Sequence, residues 1–477
     1  MMQFNSYSYL LLLLVSVLLF WNLPVRFRHA YVLILSILFY ASWNVYFLII
    51  PVTMCVIVFW SSSKIREGGF GGRRALWAGV GAIVAILGVF KYGHFVAENL
   101  STLSAWLDLD PLPLAWRLAL PLGISFYSFE AISYLLDTRQ GRVKTASFRD
   151  LFLFIMFWPH LIAGPIVRTR ELIPQLKFDK PFESRFIFAG LDRLLLGLVQ
   201  KNLIANTIGG WVDEGFLPKA AVLNTTIDNW ALAVAFGIQI YFDFAAYTNM
   251  AIGAAQMIGI TLPENFRFPY HAANPVDFWS RWHMTLSRWI RDYVFFPLNA
   301  GLQHKKFRLY VSLVAVMGVV GLWHGAAWGF VLWGLLHGVY LASYRAFENW
   351  RGEQTLQPLA LRIAWRLITL GAVVAAWIPF RAVSLEQAMT MLKSMFVSFS
   401  FGFSFSVNFY LMALIWCVWI ALEPTFSKLL ARMGEPDRPG VLGALNGYLL
   451  RPGSYAILLL LFIAFDNRDT QFIYFQF

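Results

Sequence analysis

Four histidines are predicted to be embedded among apolar and aromatic residues, where an ionisable side chain needs an explanation. They are His160, His283, His324 and His337. An imidazole titrates near neutral pH, so it can accept a proton from a hydroxyl group. His324 is flanked by Gly321 and Gly325, and we expect their missing side chains to let another group approach the ring. The sequence therefore predicts His324 as a general base, with a structural hydrogen bond as the alternative for each histidine.

Other chemistry that histidines support is not indicated. The chain contains no HExxH motif and no Cys/His quartet, and His337 lies thirteen positions after His324. It also contains no GxSxG motif, so a covalent intermediate on a serine is not suggested. We therefore expect no metal and no bound cofactor.

Asp243 is a second unusual group, because it lies in the apolar stretch 239–247 (QIYFDFAAY). A buried carboxylate must be paired or neutral. We expect its partner to be an arginine, a histidine or a tyrosine hydroxyl. The alternatives are a direct role in the site and a structural polar pair between helices.

The composition identifies the kind of scaffold that must position these groups. Of the 477 residues, 59% are hydrophobic and only 13% are charged, and the mean hydropathy is +0.60. Soluble domains have about 25% charged residues. The chain is therefore predicted to be an all-α, polytopic membrane protein; the composition excludes a soluble enzyme, a disordered chain and a coiled coil.

About 20 apolar residues are needed to cross a bilayer as a helix. Spans or half-spans are predicted near 7–21, 30–48, 50–63, 75–92, 117–136, 150–166, 186–208, 229–260, 309–322, 326–344, 361–380, 406–424 and 453–465. Some are too short to cross alone, and Pro159 and Pro165 interrupt one of them, which indicates a re-entrant element. The prediction is about eleven transmembrane helices plus re-entrant and interfacial helices.

The charge distribution predicts the orientation. Loops 22–29, 64–74 and 137–150 are basic, whereas loop 94–116 has Glu98, Asp108 and Asp110 and no Lys or Arg. Basic loops stay in the cytoplasm, so the N-terminus is predicted to face outward. The net charge of +12 is explained in this way, and no basic segment outside the membrane suggests nucleic-acid binding.

Residues 263–308 combine dense aromatic residues with arginines, among them Arg281 and Arg288. Trp and Tyr favour the bilayer interface, so this segment is predicted to be interfacial. The alternative to a chemical role is an amphipathic helix in the plane of the interface.

Six sequence blocks, in order, resemble the membrane-bound O-acyltransferase family, and within it the bacterial branch of the alginate O-acetyltransferase membrane subunit. They are 157–168 (FWPHLIAGPIVR), 240–253 (IYFDFAAYTNMAIG), 264–270 (ENFRFPY), 278–293 (FWSRWHMTLSRWIRDY), 321–326 (GLWHGA) and 472–477 (FIYFQF).

The resemblance implies a helical protein around a central tunnel that crosses the bilayer. The signature histidine of the family falls on His324 and the second histidine on His283. Other residues in these blocks are candidates for lining the tunnel or holding the histidines: Trp323, Trp282, Asn265, Tyr241, Asp243 and His160.

The resemblance also implies that an acetyl group passes from a cytoplasmic donor to an exported polysaccharide through periplasmic partner proteins. A cationic segment with Arg281 and Arg288 suits an anionic thioester donor such as acetyl-CoA. After residue 298 the chain reads NAGLQHKK, where the family has a Gly-Gly-Asn-Arg-type turn, so cellulose stays open beside alginate as the acceptor.

We thus predict one domain over 1–477 in the bacterial inner membrane. It comprises N-terminal spans (1–116), a catalytic core (117–345) that contains the interfacial segment 263–308, and C-terminal spans (346–477). Two alternatives from other functional classes are a proton-coupled transporter or flippase, which would also use intramembrane His and Asp, and a non-catalytic scaffold of a polysaccharide-export complex. The absence of paired broken segments in two halves of the chain argues against the transporter.

Overall fold

The computed structural model describes residues 2–109, 118–219, 224–301, 305–352, 358–433, 451–465 and 472–473. Every regular element in these ranges is a helix, which confirms the all-α prediction. Asp110, His304 and residues 474–477 of the last sequence block lie outside the described residues.

The chain divides into two compact units. The first comprises Met1–Leu194 and Tyr247–Pro263, and the second comprises Leu195–Ala246 and Glu264–Phe477. Two helices contribute to both units: α9 Ser184–Val199 and α11 Thr226–Met257.

The first unit contains eight further helices in the described residues: α1 Tyr7–Asn22, α2 Val25–Ala41, α3 Ile49–Glu67, α4 Gly69–Leu87, α5 Gly93–Trp106, α6 Ile124–Arg139, α7 Phe148–Met156 and α8 Thr169–Leu172. The second unit contains α10 Asn206–Gly215, α12 Pro275–Trp279, α13 Met284–Ile290, α14 Phe296–Leu298, α15 Lys306–His324, α16 Trp328–Arg351, α17 Leu359–Arg381, α18 Leu385–Phe396, α19 Val407–Met433 and α20 Arg451–Ala464.

Among the residues that the structure describes, six helical stretches are long and apolar enough to cross a bilayer, so this is a multi-pass membrane protein. They are Val45–Glu67, Gly69–Trp106, Thr226–Met257, Lys306–His324, Leu359–Arg381 and Val407–Lys428. Two shorter apolar helices, α1 and α20, lie below that length. The predicted number of about eleven spans is not confirmed, because several apolar stretches form helices shorter than the roughly 20 residues that a crossing needs.

The helix α11 is the most buried of the six candidate spans. Within its apolar window 83% of the residues are buried, against 44% or less in the other five. A helix that is apolar on all sides is expected to pack against protein around its whole circumference. Polar side chains on α11 therefore face protein and require protein partners.

The break predicted at Pro159 and Pro165 is present. Helix α7 ends at Met156, and residues 158–163 form successive buried turns. Irregular backbone at membrane depth is tolerated only where it is enclosed by protein, and these turns are enclosed.

The segment 263–308 differs from a single amphipathic helix lying in the interface. It contains the short helices α12, α13 and α14 and a π-helical stretch, Arg291–Phe295, and many of its aromatic side chains are buried. The break comes at His283, whose φ of 42° is incompatible with a continuous helix. This segment packs into the second unit and carries part of its site.

Candidate active site

His324 is the last residue of α15, and its side chain is enclosed by aromatic rings. The helix ends there because Gly325 is fully extended. The imidazole packs edge-on against Trp323, Trp333 and Phe380, with ring centroids 4.9, 5.0 and 5.5 Å away. The residue is 5% exposed. This enclosure excludes bulk water from the predicted base.

The glycines beside His324 allow two helices to pack closely. They do not open the path to the imidazole that the sequence analysis predicted. A β-carbon at Gly321 would lie 2.1 Å from the carbonyl oxygen of Phe330, and one at Gly325 would lie 2.1 Å from its ring. The space that these glycines leave is therefore filled by α16. Their consequence for His324 is indirect, because they allow α15 and α16 to pack closely.

His283 is held in one orientation by Asn265. Its Nδ1 lies 3.0 Å from the Oδ1 of Asn265, and the backbone amide and the hydroxyl of Thr285 lie 3.3 and 2.8 Å from the same oxygen. The amide of Thr285 can only donate, so the atom it faces is the oxygen of Asn265. Nδ1 of His283 therefore carries the proton, and Nε2 is the nitrogen whose lone pair can accept a hydrogen bond.

Burial lowers the pKa of His283 to about 3. The side chain is fully enclosed, and the ring of Phe244 meets it edge-on at 4.7 Å between centroids. Near neutral pH the imidazole is therefore uncharged. A neutral ring with a fixed tautomer is the form that can accept a hydrogen bond or a proton at Nε2.

The two predicted histidines lie together. The ring centroids of His283 and His324 are 6.4 Å apart, and the ring of Trp323 lies 6.4 Å from that of His283. Both imidazoles can thus be within hydrogen-bond reach, about 3 Å, of one reacting group. The arrangement suits proton transfer to or from a bound hydroxyl.

Trp282 stands in an aromatic cluster next to His283. Its ring lies 5.1 Å from those of Phe266 and Trp377, stacks on Phe278 at 5.7 Å and lies 6.2 Å from that of Tyr241. It is 1% exposed, so it packs the site and has little surface left for a ligand.

Tyr241 is bound to a carboxylate that the sequence analysis missed. Its hydroxyl donates to Glu423 on α19, 3.1 and 3.2 Å from the two carboxylate oxygens. Glu423 lies in a candidate membrane span, and an acidic residue in such a stretch was the signal that could have identified it.

The partner of Asp243 is Lys201, not an arginine, a histidine or a tyrosine as predicted. The ammonium group lies 2.6 Å from the carboxylate, and both side chains are 2% exposed. The second carboxylate oxygen accepts the backbone amide of Ile473 at 2.8 Å. The prediction failed because it did not consider Lys201, which itself lies in an apolar stretch.

His160 lies in the first unit, where it pairs with Glu130 on α6. Its Nδ1 is 3.2 Å from the carboxylate, and both side chains are almost completely buried. The same carboxylate oxygen accepts the amide of Val167 at 3.2 Å. His160 thereby ties the broken segment after α7 to α6.

His337 is enclosed by rings in the second unit. It stacks on Phe278 at 5.9 Å and meets Trp333 and Trp279 at 4.9 and 5.2 Å. Among the described residues, no group of three or more His, Cys, Asp or Glu side chains could hold a metal ion.

The two arginines predicted on the donor side differ in their surroundings. Nε of Arg281 donates to Asp277 at 2.7 Å, whereas Arg288 is exposed. Burial raises the pKa of the Asp277 carboxyl, but hydrogen bonds from Arg281 and the amide of Ala273 outweigh this and lower it below its usual value. Asp277 thus offsets the charge of Arg281.

Comparison with known proteins identifies a family match over most of the chain. The model of MBOAT, the membrane-bound O-acyltransferase family, matches residues 37–370, a range that includes Asn265, His283 and His324.

Three relatives illustrate the similarity. The chain is 36% identical over 406 residues to the probable alginate O-acetylase AlgI of Azotobacter vinelandii, covering 84% of this chain and 79% of that protein. It is 37% identical over 401 residues to the peptidoglycan O-acetyltransferase of Helicobacter pylori, covering 77% and 74%. It is 31% identical over 275 residues to the teichoic acid D-alanyltransferase of Bacillus subtilis, covering 54% and 69%.

Proposed function

This chain belongs to the membrane-bound O-acyltransferase family, and from that premise we propose that it transfers an acetyl group from acetyl-CoA for the O-acetylation of an exported polysaccharide. It is a membrane O-acyltransferase. The observation that carries the proposal is the pair of buried imidazoles, His283 and His324, 6.4 Å apart, one of them with a fixed tautomer. The transporter and scaffold alternatives are set aside, because the relatives are named as transferases.

The choice of acetyl rests on the extent of the similarity. The two relatives named for acetyl transfer match 84% and 77% of the chain, whereas the D-alanyltransferase matches 54%. All three names carry a polymeric acceptor. We therefore propose a polysaccharide acceptor, of the alginate type or cellulose.

In the proposed reaction, His324 acts as the general base. It takes the proton from the acceptor hydroxyl as the oxygen attacks the thioester carbonyl carbon. A new C–O bond forms, the C–S bond breaks, and the thiolate of CoA leaves and takes up a proton. The net reaction converts a hydroxyl and acetyl-CoA into an acetyl ester and CoA.

His283 has a positioning role toward the donor. Its Nε2 can accept a hydrogen bond, so it suits an amide N–H of the pantetheine arm rather than the carbonyl oxygen. The charge of Arg281 is offset by Asp277, which weakens the attraction of this arginine for the CoA phosphates.

The remaining parts of the proposal concern the cellular setting. The protein is placed in the bacterial inner membrane with its N-terminus in the periplasm, because the early basic loops fit the cytoplasmic side. Periplasmic partner proteins would pass the acetyl group on to the polymer.

The proposal is tested with the purified protein in liposomes and acetyl-CoA labelled in the acetyl group. We expect release of free CoA and transfer of label to alginate or cellulose oligomers when periplasmic partners are supplied. Replacing both Arg281 and Arg288 by alanine should raise KM for acetyl-CoA, whereas Arg345→Ala, an exposed arginine paired with Glu348, should not. If the wild type releases no CoA with any partner present, the proposal is wrong.

A further inference from the structure

A buried ion pair in the second unit joins three distant parts of the chain. Lys201 lies in the π-helical stretch Gln200–Ala205 between α9 and α10, and Asp243 lies on α11. Their charged atoms are 2.6 Å apart, and each side chain is 2% exposed. π-helical turns are rare in proteins, and those that do occur within a longer helix often lie at functional sites. The π-helical stretch 200–205 is therefore an indication that Lys201 has a functional role.

The third part is the segment 472–473, in which Ile473 lies 230 residues beyond Asp243 in the sequence. The backbone amide of Ile473 donates to the second oxygen of Asp243 at 2.8 Å. The ammonium group of Lys201 lies 4.4 Å from the centre of the Phe472 ring, a cation–π contact. Phe472 and Ile473 are 1% and 5% exposed. Each half of the ion pair thus contacts one of the two residues.

Stability alone does not explain this arrangement. Burying two charges costs about as much as their attraction returns, so a buried pair is weak support for a stabilising role. A carboxylate that faces both an ammonium group and a backbone amide has the hydrogen bonds that make burial tolerable. The ion pair thus forms a binding site for the segment 472–473: Asp243 accepts a hydrogen bond from its backbone and Lys201 contacts its aromatic ring.

The docking point adjoins the candidate active site. Asp243 shares one turn of α11 with Tyr241 and Phe244. The ring of Phe244 meets that of His283 edge-on at 4.7 Å, and the ring of Tyr241 lies 6.2 Å from that of Trp282. A shift of this turn would therefore be transmitted directly to His283. Misplacement of a reacting group by 1 Å can cost about 10²-fold in rate.

We propose that Lys201 and Asp243 anchor the segment 472–473 to α11, and that this docking positions the turn of α11 that holds His283. Both are positioning residues, since they act through α11 and Phe244. The decisive contact is the hydrogen bond from the amide of Ile473 to an oxygen at position 243. The docking of the segment 472–473 does not depend on the proposed function. The effect of this docking on His283 rests on the proposed function, because it is measured as acyl transfer.

Two matched double variants separate the hydrogen bond from the charges. K201M/D243N removes both charges but keeps an amide oxygen that can accept from Ile473. K201M/D243L removes both charges and the acceptor. Met at 201 keeps an apolar contact with the ring of Phe472. The full-length protein in detergent is used for both, with wild type and D213N as references. Asp213 pairs with Arg381, also at 2.6 Å, but its side chain is 64% exposed.

Hydrogen exchange of the peptide that contains Ile473 reads the docking directly. We expect slow exchange in wild type, D213N and K201M/D243N, and exchange faster by about tenfold or more in K201M/D243L. The acyl-transfer rate of K201M/D243L should fall below that of K201M/D243N by about tenfold or more, with KM for the donor unchanged.

Three results would overturn the anchor. The first is rapid exchange at Ile473 in the wild type. This measurement needs no variant, so it tests the docking even if neither double variant folds. The second is equal protection of Ile473 in the two double variants. The third is equal activity of these variants despite different protection. If the wild type transfers no acyl group but Ile473 is protected as expected, the proposed function fails while the docking stands.

Discussion

At the scale of single residues, the state of His283 depends on one oxygen atom, the Oδ1 of Asn265. Three donors converge on that oxygen, and the amide of Thr285 identifies it as the acceptor. The tautomer of His283 follows from this contact. Residues that orient a functional histidine typically affect function by 10–100-fold when they are changed, by analogy with outer-shell partners in metal sites.

Replacing Asn265 by leucine should therefore lower the rate of acyl transfer by about 10–100-fold. The ring of His283 would lose the group that fixes its proton on Nδ1. Initial rates of CoA release measure this, with T285S as the control because serine retains the hydroxyl donor. Unchanged rates in N265L would show that the orientation of His283 is unimportant.

The pKa of His283 also predicts how stability depends on pH. In the folded protein it is about 3, against about 6.5 in an unfolded chain. Between these values only the unfolded state binds the proton, so the contribution of His283 to the free energy of unfolding is fully present above pH 6.5 and is lost as the pH is lowered toward 3. The contribution of this residue is about 1.4 kcal/mol per pH unit.

Chemical unfolding in detergent at pH 7.5 and 5.5 measures this dependence. The H283Q variant should lose less stability between these pH values than the wild type. H94Q changes a partly exposed histidine and serves as the control. An identical loss in H283Q and in the wild type would contradict the assignment of a buried neutral imidazole.

The sequence singled out His324 and His283 as candidates, and the structure brings their rings to 6.4 Å from each other, but the sequence did not indicate the partners of the polar residues around them. Lys201, Glu130 and Glu423 lie in or beside predicted spans, and their charges alone marked them as groups in need of partners. Pairing them with Asp243, His160 and Tyr241 requires knowledge of which helices adjoin, and no local pattern contains that information.

At the scale of elements, the close packing of α15 and α16 determines where His324 lies. Gly321 and Gly334 face each other across this contact, because a β-carbon at Gly334 would lie 3.0 Å from the backbone of Gly321. The helices therefore approach through their small residues, as is common for helix pairs in membranes.

Substitution of Gly321 by alanine should force α15 and α16 apart and lower both the thermal stability and the acyl-transfer rate. G371A is the matched control, since a β-carbon at Gly371 on α17 meets nothing within 4 Å. Alanine in that helix interior should be neutral or stabilise by about 0.5–1 kcal/mol. Equal effects of the two substitutions on stability would contradict the packing argument.

The elements were only partly predictable. The long apolar stretches predicted the long helices, and Pro159 and Pro165 predicted the broken segment after α7. The short helices of 263–308 were not foreseen, because His283 adopts a left-handed conformation that its residue type does not specify. Tertiary contacts with Asn265 and Phe244 outweigh the local preference there.

At the scale of the whole molecule, we propose that the early basic loops of this multi-pass membrane protein lie in the cytoplasm. Single cysteines at Arg73 and Ala105, in a background with Cys55 and Cys417 replaced by serine, would test this in spheroplasts. A membrane-impermeant maleimide should label position 105 and leave position 73 unlabelled until the membrane is opened. The reverse pattern would overturn the predicted orientation.

The most direct test of the central claim is the rate of CoA release from acetyl-CoA by H324A, compared with H94A and the wild type in the same membranes. A positioned base contributes about 10²–10⁴-fold, so H324A should lose at least that factor while inserting normally. H94A should match the wild type, because His94 pairs with Glu98 and takes no part in the proposed reaction. An H324A variant as active as the wild type would contradict the assignment of His324 as the base.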